Sequence, residues 1–332
     1  MKLSFATVLF TALLLTARNT PAQNAEPAPP VIQKLGTIDC DMVETTPVVF
    51  NGKLYRFEYV RNKYYKPNTT GRSYFRFIDV ATGDSTRPFG WDHHLGSAFV
   101  DGGTMYVFGV NEWGGERLQV YWSNDLETWE TQPGIELPGW ELFNNGVCKA
   151  DGRYVMALEI GAPPEETGQR FTNRFLESDN LRDWRLTPPE CVYTKERYSA
   201  CPSLAYLDGW FYMFYLESYP GYYAEALVRS KDLVEWEPSP FNPVLKHSDE
   251  DRRIANDALS AEQRERIRTS RNINNSDLDF CEFEEKTIIL YSWGNQHGIE
   301  HLAQAVYEGT EADFLRAFYP QKQEETDDLL SE

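Results

Sequence analysis

The stretch that decides the fold is Ser123-Asn124-Asp125-Leu126-Glu127-Thr128-Trp129. It recurs as Ser178-Asp179-Asn180-Leu181-Arg182-Asp183-Trp184 and as Ser230-Lys231-Asp232-Leu233-Val234-Glu235-Trp236. The three tryptophans lie about fifty residues apart, a spacing that suits one four-stranded blade of a β-propeller. A hydroxyl residue followed by an acid or amide predicts a tight turn that side chain to backbone hydrogen bonds close. We expect the Trp of each copy to pack between neighbouring blades.

A second pattern occurs five times and consists of a polar residue, an apolar strand, a tight turn and an aromatic strand. It spans residues 44–57, 95–108, 144–156, 200–215 and 277–293. Asn51-Gly52 in the first segment is a strong hairpin signal. A third strand follows each hairpin, and the Ser/Asp/Trp turn of blades two to four leads to a fourth. In blade one, Ala81-Thr82-Gly83-Asp84 takes the place of that turn. The pattern predicts an all-β fold, a five-bladed β-propeller over residues 31–320.

The fifth segment lacks a fourth strand of its own. Its last strand, 302–307, is followed by a short predicted helix, 310–318, with Thr310 as its cap. We predict that residues 31–38, ahead of blade one, supply the missing strand and close the ring. Closure would leave no sheet edge exposed.

A helical insertion is predicted between blades four and five, at about residues 248–274. Ser260 and Gln263 form a capping box, and four arginines follow: Arg264, Arg266, Arg268 and Arg271. The insertion is either a solvated surface helix or a lid that brings its arginines to the axial opening. We favour the surface helix.

Composition limits the classes of partner and the compartment. The 332 residues carry a net charge of −19, which argues against a nucleic-acid partner because phosphate binding needs a basic surface. Residues 1–22 are typical of a signal peptide, with Lys2, an apolar stretch over 3–15 and Ala22 at the cleavage site. That stretch is too short for a membrane span. We therefore predict a secreted or periplasmic protein with a mobile leader at 23–30 and an acidic tail at 321–332.

The five cysteines include no CxxC pair, so a zinc site is not expected. An odd count leaves at least one free thiol. The sequence predicts no cofactor and no metal in the site, although a structural divalent cation such as calcium on the propeller axis stays open.

Strand one of a propeller blade begins, and strand two ends, on the same face beside the axis. Polar side chains at these positions should therefore share one cavity. The strand-one positions are those of Glu44, His93, His94, Asn145, Asp277 and Asp279, and the strand-two positions those of Arg61, Glu112, Glu159, Glu217, Trp293 and His297. Opposed carboxylates with flat aromatic platforms are what glycoside chemistry requires, since one acid protonates the leaving oxygen while another activates water or attacks.

Roles can be assigned within this set. Glu44 is the predicted base or nucleophile-side carboxylate, and Glu217 and Asp277 are the leading acid and tuning candidates. The remaining nine are predicted to contact substrate. For several of them a structural role is open as well: Asp277 could cap a turn, and a His pair is more often structural than catalytic.

The five turn-hairpins resemble the five-bladed propeller glycoside hydrolases of the arabinofuranosidase/xylosidase group (family 43) and relatives such as the neoagarobiose hydrolases. In that group an Asp opens blade one and acts as base, and Glu44 takes the matching place, seven residues before Asn51. The group's general acid in blade four has no counterpart, because the stretch here is Ala200-Cys201-Pro202, and its second-blade Asp matches Ser97. Some relatives use a His as the acid, a role open to His93, His94 or His297.

The resemblance implies an exported glycoside hydrolase that releases a terminal sugar from a plant or algal polysaccharide or oligosaccharide. Two alternatives stay open. A non-catalytic carbohydrate-binding propeller agrees with the missing blade-four acid. A glycoside phosphorylase of the same architecture would need the insertion's arginines as a phosphate site.

Overall fold

The structure, a computed structural model, describes residues 28–61 and 72–320. Strand β1 (Gln33–Cys40) comes first, and the other strands follow in groups that correspond to the predicted blades. Blade one contains β2 (Thr45–Phe50), β3 (Lys53–Val60) and β4 (Tyr74–Asp79); blade two contains β5 (His94–Asp101), β6 (Thr104–Val110), β7 (Arg117–Ser123) and β8 (Glu130–Glu136). Blade three contains β9 (Glu141–Ala150), β10 (Arg153–Ala162), β11 (Thr172–Ser178) and β12 (Arg185–Leu186); blade four contains β13 (Ser199–Leu207), β14 (Trp210–Tyr219), β15 (Tyr222–Ser230) and β16 (Trp236–Pro238). Blade five contains β17 (Asn274–Phe283), β18 (Lys286–Gly294) and β19 (Glu300–Tyr307).

The first strands of the five groups form a closed ring. Strand β2 contacts β5, β5 contacts β9, β9 contacts β13, β13 contacts β17, and β17 contacts β2. Within each group, consecutive strands pair antiparallel. The all-β propeller fold predicted from the repeats is thereby confirmed. In blade one the fourth position holds two isolated bridges, Phe75 with Phe89 and Ile78 with Ser85, in place of a strand.

The N-terminal strand closes the ring as predicted. Strand β1 pairs antiparallel with β19, with Gln33 opposite Val306 and Cys40 opposite His301. It is therefore the fourth strand of blade five, and it begins and ends two residues later than the predicted 31–38.

The insertion between blades four and five packs against this closing strand. It contains a 3₁₀ helix (Asp249–Arg252) and α2 (Ala261–Thr269), which the predicted Ser260/Gln263 capping box opens. The buried Nζ of Lys34 lies 2.7 Å from a carboxylate oxygen of Asp251. Gly36 has φ +118°, and a Cβ there would lie 2.4 Å from the Arg253 carbonyl oxygen, so only glycine allows this approach.

Three of the insertion's four predicted arginines bind nearby acids and carbonyls. Arg266 pairs with Asp41 at 2.6 Å, Arg268 pairs with Glu265 at 2.6 Å, and Arg264 donates to the Leu259 carbonyl at 2.9 Å. None of these arginines lines the axial cavity described below. The insertion is therefore a surface helix pair, and the lid interpretation is not supported.

The three Ser/Asp/Trp turns adopt one geometry. The Ser Oγ accepts a hydrogen bond from the Leu amide at 2.9 Å in the first two turns and 2.8 Å in the third. Each Trp packs against an aromatic side chain of the preceding blade. Trp129 stacks on Phe89 with ring centroids 3.8 Å apart, Trp236 stacks on Phe175 at 5.4 Å, and Trp184 meets Phe108 edge to face at 5.6 Å. The prediction that these tryptophans pack between blades is confirmed.

The remaining helices are short. Helix α1 (Pro164–Thr167) lies between β10 and β11, and α3 (Glu311–Ala317) begins after its predicted cap, Thr310. Among the residues that the structure describes, no helix has the length and apolarity needed to cross a membrane. All five cysteines are free thiols. The predicted signal peptide, most of the leader and the acidic tail lie outside the described residues.

Candidate active site

The entry to the first strand is kinked at the same level in four of the five blades. Glu44, Leu95, Cys201 and Asp277 all have positive φ, between +51° and +54°. In β5, β13 and β17 the ladder register shifts at this residue. A bulge of this kind re-aims a side chain, and non-glycine residues in this backbone region cluster at functional sites. The kinks turn Glu44, Cys201 and Asp277 toward one opening.

That opening is a cavity of about 460 Å³, within the range of roughly 300–1,000 Å³ that small-molecule sites occupy. Four blade regions contribute to it, and its polar and aromatic lining consists of Glu44, Arg61, Trp113, Tyr198, Cys201, Ser276, Asp277, Gln296, His297 and Glu300. A narrow channel of about 30 Å³ continues along the axis, between Thr46, Ser97, Asn145, Ser203 and Asp279.

Glu44 is a buried carboxyl group at the floor of this cavity. Arg61 Nη2 lies 3.4 Å from its Oε2, and 11 % of the Glu44 side chain is exposed. Burial raises the pKa of Glu44 to about 8, and the negative charges of Asp277 and Glu159 add to the shift while Arg61 opposes it. Glu44 is therefore mostly protonated at neutral pH.

Asp277 enters the cavity from the neighbouring blade. Ser276 Oγ donates to its Oδ2 at 2.6 Å. Its negative charge contributes to the raised pKa of Glu44, Glu159 and Glu300. The structure thus brings together the two carboxyl groups that were predicted on sequence grounds to open blades one and five.

Glu300 is a third acid in the cavity, which sequence reasoning missed. Its oxygens accept hydrogen bonds from the Gln296 amide at 2.6 Å and from Asn274 Nδ2 at 3.1 Å. Burial raises its pKa to about 8. Strand three of a blade begins on the face where strand two ends, and Glu300 is the first residue of β19. Including the first residue of each third strand among the candidate positions would therefore have identified Glu300.

Glu159, a predicted substrate contact, lies behind the wall of the cavity and supports it. Its Oε2 accepts hydrogen bonds from the Cys201 amide and from Asn144 Nδ2, both at 2.8 Å. Burial is the main reason that its pKa rises to about 7. Glu159 therefore supports the blade-four kink and acts on Glu44 through its charge.

Arg61 lies at the cavity against two aromatic side chains. The Arg61 guanidinium lies 5.2 Å from the centroid of Trp113 and 5.0 Å from that of Tyr59, which are cation–π distances. Trp113 and Tyr198 both line the cavity, and flat rings of this kind bind the apolar face of a sugar. Neither was predicted, because both lie in loops without a repeating pattern.

Three more predicted residues lie at the cavity or in its channel. His297 is exposed at the mouth. In the channel, Asn145 Oδ1 accepts from Ser97 Oγ at 2.6 Å, and Asp279 Oδ1 accepts from Ser203 Oγ at 3.0 Å. Burial raises the pKa of Asp279 to about 6.

Glu217 and Glu112 are not brought to the cavity. Glu217 accepts a hydrogen bond from Tyr215 at 2.7 Å and lies 3.8 Å from Arg197. Glu112 is exposed in a separate groove at the edge of blades two and three. Glu217 lies on β14 and Glu112 in the loop after β6, and neither lines the axial cavity. The assignment of Glu217 as acid is therefore not supported.

His93, His94 and Trp293 have structural surroundings, which corrects their predicted substrate contacts. His94 Nδ1 is hydrogen-bonded to the Tyr59 hydroxyl, and burial lowers its pKa to about 4. His93 Nδ1 lies 3.0 Å from the Trp91 carbonyl oxygen. Trp293 is fully buried and donates from Nε1 to Thr37 Oγ1 at 2.8 Å. His94 at the start of β5 and Trp293 in β18 are buried, whereas His93 lies in the loop before β5.

In the part of the chain that the structure describes, no three His, Cys, Asp or Glu side chains converge as a metal ion would require. The axial cation considered from the sequence is untested, since its coordination could include backbone oxygens.

The five strand groups and the closed ring of their first strands form a five-bladed β-propeller around the axial cavity. Among similar solved structures is a glycoside hydrolase with a TM-score of 0.60 and 13% identity, over 86% of this chain and 94% of that chain. An α-L-arabinofuranosidase from Podospora anserina in complex with cellotriose has a TM-score of 0.58 and 8% identity, over 84% and 97%. A xylan β-1,4-xylosidase from Bacillus halodurans has a TM-score of 0.51 and 14% identity, over 82% and 54%. The predicted resemblance is confirmed for the fold. No protein-family model matches the sequence, and no curated protein matches it.

Proposed function

We propose that this protein is an exported glycoside hydrolase that releases a terminal sugar from a plant or algal polysaccharide or oligosaccharide. The observation that carries the proposal is that Glu44 and Asp277 line the same cavity. Each lies at a backbone kink of the same kind, in neighbouring blades. Paired carboxyl groups of unlike protonation are the chemical requirement for glycosidic bond cleavage. The known activities of propellers with the same fold support it further.

The electrostatics of Glu44 support different roles for the two acids. Glu44, whose pKa is raised to about 8, is the general acid and transfers its proton to the glycosidic oxygen as the bond from that oxygen to the anomeric carbon breaks. Asp277 is the carboxylate that either takes a proton from the attacking water or attacks the anomeric carbon itself. This assignment gives Glu44 the acid role, whereas the family resemblance predicts a base at that place.

The rest of the cavity suits a sugar. Trp113 and Tyr198 offer ring faces, while Arg61, Gln296 and His297 offer hydrogen-bond donors. Specific polar groups in a largely preformed cavity are the usual means of orienting a small ligand. Export rests on the sequence of residues 1–22 alone.

A non-catalytic carbohydrate-binding propeller is the second candidate. Its specific support is Cys201, which lines the cavity in the blade that carries the acid in the resembling group. The phosphorylase alternative loses its support, because none of the insertion's arginines lines the cavity.

Product analysis and calorimetry on a panel of plant and algal oligosaccharides test the proposal. We expect the wild-type protein to release a monosaccharide, and Glu44→Gln and Asp277→Asn to lower turnover by about 10²–10⁴-fold, the range attributed to a positioned proton-transfer group. Each variant should fold normally, since Gln and Asn keep the shape of the side chain.

The matched controls are Glu217→Gln and Glu112→Gln, which remove acids outside the cavity and should leave turnover unchanged. Binding without any turnover would favour the carbohydrate-binding propeller. Full activity in Glu44→Gln would remove Glu44 from the mechanism.

A further inference from the structure

The kink that presents Asp277 disrupts the hydrogen-bond ladder of its own blade. Between Ser276 and Asp279 the register of β17 against β18 slips, so that one extra residue is accommodated. A bulge leaves a backbone group without its ladder partner, and such a group must be satisfied elsewhere when it is buried. The amide that follows Asp277, that of Leu278, finds its acceptor in another blade.

That acceptor is Glu225, on the third strand of blade four. Its Oε1 accepts a hydrogen bond from the Leu278 amide at 3.2 Å. Glu225 is fully buried, and its Oε2 has no hydrogen-bond partner among the described residues. An acid in such surroundings is costly, and the Leu278 amide is the contact that offsets part of this cost.

The surroundings of Glu225 favour its neutral form. Burial raises its pKa well above the ordinary range, and the charge of Asp277 adds to the shift. Because a protonated carboxyl group still has a free acceptor oxygen, it can hold the amide without placing a second negative charge beside Asp277.

The kink at the start of blade four is held in a similar way, by an acid of blade three. There Glu159, on a strand of blade three, accepts from the amide of the kinked residue Cys201 at 2.8 Å. In both cases a buried acid from the preceding blade holds the backbone of the kink, and in both cases the kinked residue faces the cavity.

We propose that Glu225 is a positioning residue, which holds the bulge at Asp277–Leu278 and thereby the Asp277 carboxylate at its place in the cavity. This inference rests on the proposed function for its effect on turnover. The hydrogen bond to Leu278 does not depend on that function and can be measured separately.

The test compares Glu225→Gln, Glu225→Leu and Val228→Ala in the full-length protein. Gln keeps an acceptor oxygen and the shape of the protonated acid, so we expect it to keep kcat within about threefold. Leu removes the acceptor, and we expect kcat to fall by about 10²-fold, the effect of misplacing a catalytic group by roughly 1 Å, with a smaller change in KM. Val228 is buried on the opposite face of β15, so its variant controls for lost stability alone and should keep kcat.

Amide hydrogen exchange at Leu278 is the second readout. Exchange should be slow in the wild type and in Glu225→Gln and at least tenfold faster in Glu225→Leu. Equal loss of kcat in the Gln and Leu variants, or full activity in Glu225→Leu, would overturn the inference. If the wild type turns over no glycan, the proposed function fails, and the exchange rates alone then decide whether Glu225 holds the bulge.

Discussion

At Glu44, opposing effects act on a single carboxyl group. Removal from water and the negative charge of Asp277 favour the protonated form, whereas Arg61, 3.4 Å away, favours the charged one. The first effect prevails, and the pKa rises to about 8. A group tuned in this way can act as an acid at neutral pH, and the same tuning affects folding.

We therefore expect Glu44→Gln to change stability with a definite pH dependence. The folded-state pKa of Glu44 is raised above the unfolded value of 4.5, so its contribution to stability is fully present below about pH 4.5 and is lost as pH rises through about 8. Gln mimics the protonated form at every pH. The variant should be more stable than the wild type at pH 9, by up to about 5 kcal/mol, because the pKa of about 8 already includes the opposing effect of Arg61. It should be equally stable at pH 4, as measured by thermal unfolding.

Glu112→Gln is the control, because Glu112 is exposed. Its replacement should change stability at neither pH 4 nor pH 9. A variant no more stable than the wild type at pH 9 would contradict the buried, protonated state of Glu44. The wild-type turnover should also fall as pH rises through about 8, when Glu44 loses the proton that it donates.

At the scale of the element, the Ser/Asp/Trp turn shows how a short motif serves a large fold. Leu126, Leu181 and Leu233 adopt φ between +63° and +66°, a region that disfavours ordinary side chains. They remain there because the Ser Oγ binds their amides and because their side chains are buried. The turn thereby aims its Trp at the preceding blade.

Removal of one of these tryptophans should weaken the contact between two blades. Trp129 stacks on Phe89 at 3.8 Å and on Phe77 at 5.9 Å. It is only partly buried, so we expect Trp129→Ala to lower the free energy of unfolding by about 2–3 kcal/mol, below the 3–5 kcal/mol typical of a fully buried Trp. Urea unfolding measures the loss.

Trp91→Ala is the matched control, since Trp91 is 44 % exposed and its removal should change stability by less than about 1 kcal/mol. Equal losses in the two variants would show that the inter-blade stack adds no stability of its own. Turnover below the unfolding transition should be unaffected by either change, because neither ring lines the cavity.

At the scale of the whole molecule, the ring depends on the contact between its first strand and its last blade. Lys34 on β1 is 6 % exposed and binds the fully buried Asp251 of the insertion. Its Nζ also donates to the Lys246 carbonyl at 2.6 Å and to Asn275 Oδ1 at 2.7 Å. Asp251 accepts from the Tyr291 hydroxyl at 2.8 Å, so this ion pair joins β1, the insertion and blade five.

Lys34→Met should therefore destabilise the whole propeller. It leaves the Asp251 charge buried without its cation, which typically costs about 3–5 kcal/mol. We expect a lower midpoint in urea unfolding and faster proteolysis at the N-terminal strand.

The control is Lys53→Met, which removes a lysine paired with Asp79 at 3.0 Å but 60 % exposed. It should have little effect, as surface ion pairs contribute little. Similar unfolding midpoints for the two variants would show that the buried pair is not what secures closure of the ring.

The sequence by itself determined the repeat, the hairpins, the closing strand and two of the acids in the cavity. Each of these depends on hydrogen bonds and apolar contacts specified within a few residues. Examples are the Asn51-Gly52 turn, the Ser to Leu hydrogen bonds of the Ser/Asp/Trp turns, and the Thr310 cap. The position of Glu44 and Asp277 followed from counting back from the hairpin turns, which works because the blades repeat.

Only the tertiary structure decided which of the remaining polar side chains reach the cavity. A bulge adds one residue to a strand and reverses the face of every side chain beyond it, and no local pattern marks where that occurs. Three residues outside the bulged strands also depend on the tertiary structure: Glu300 lies inside although it was not predicted, Glu217 lies beside Tyr215, and Trp293 is buried in blade five. At the bulges of blades four and five, a backbone amide donates its hydrogen bond to an acid of the preceding blade. The cavity is therefore assembled by contacts between residues that lie far apart in the sequence.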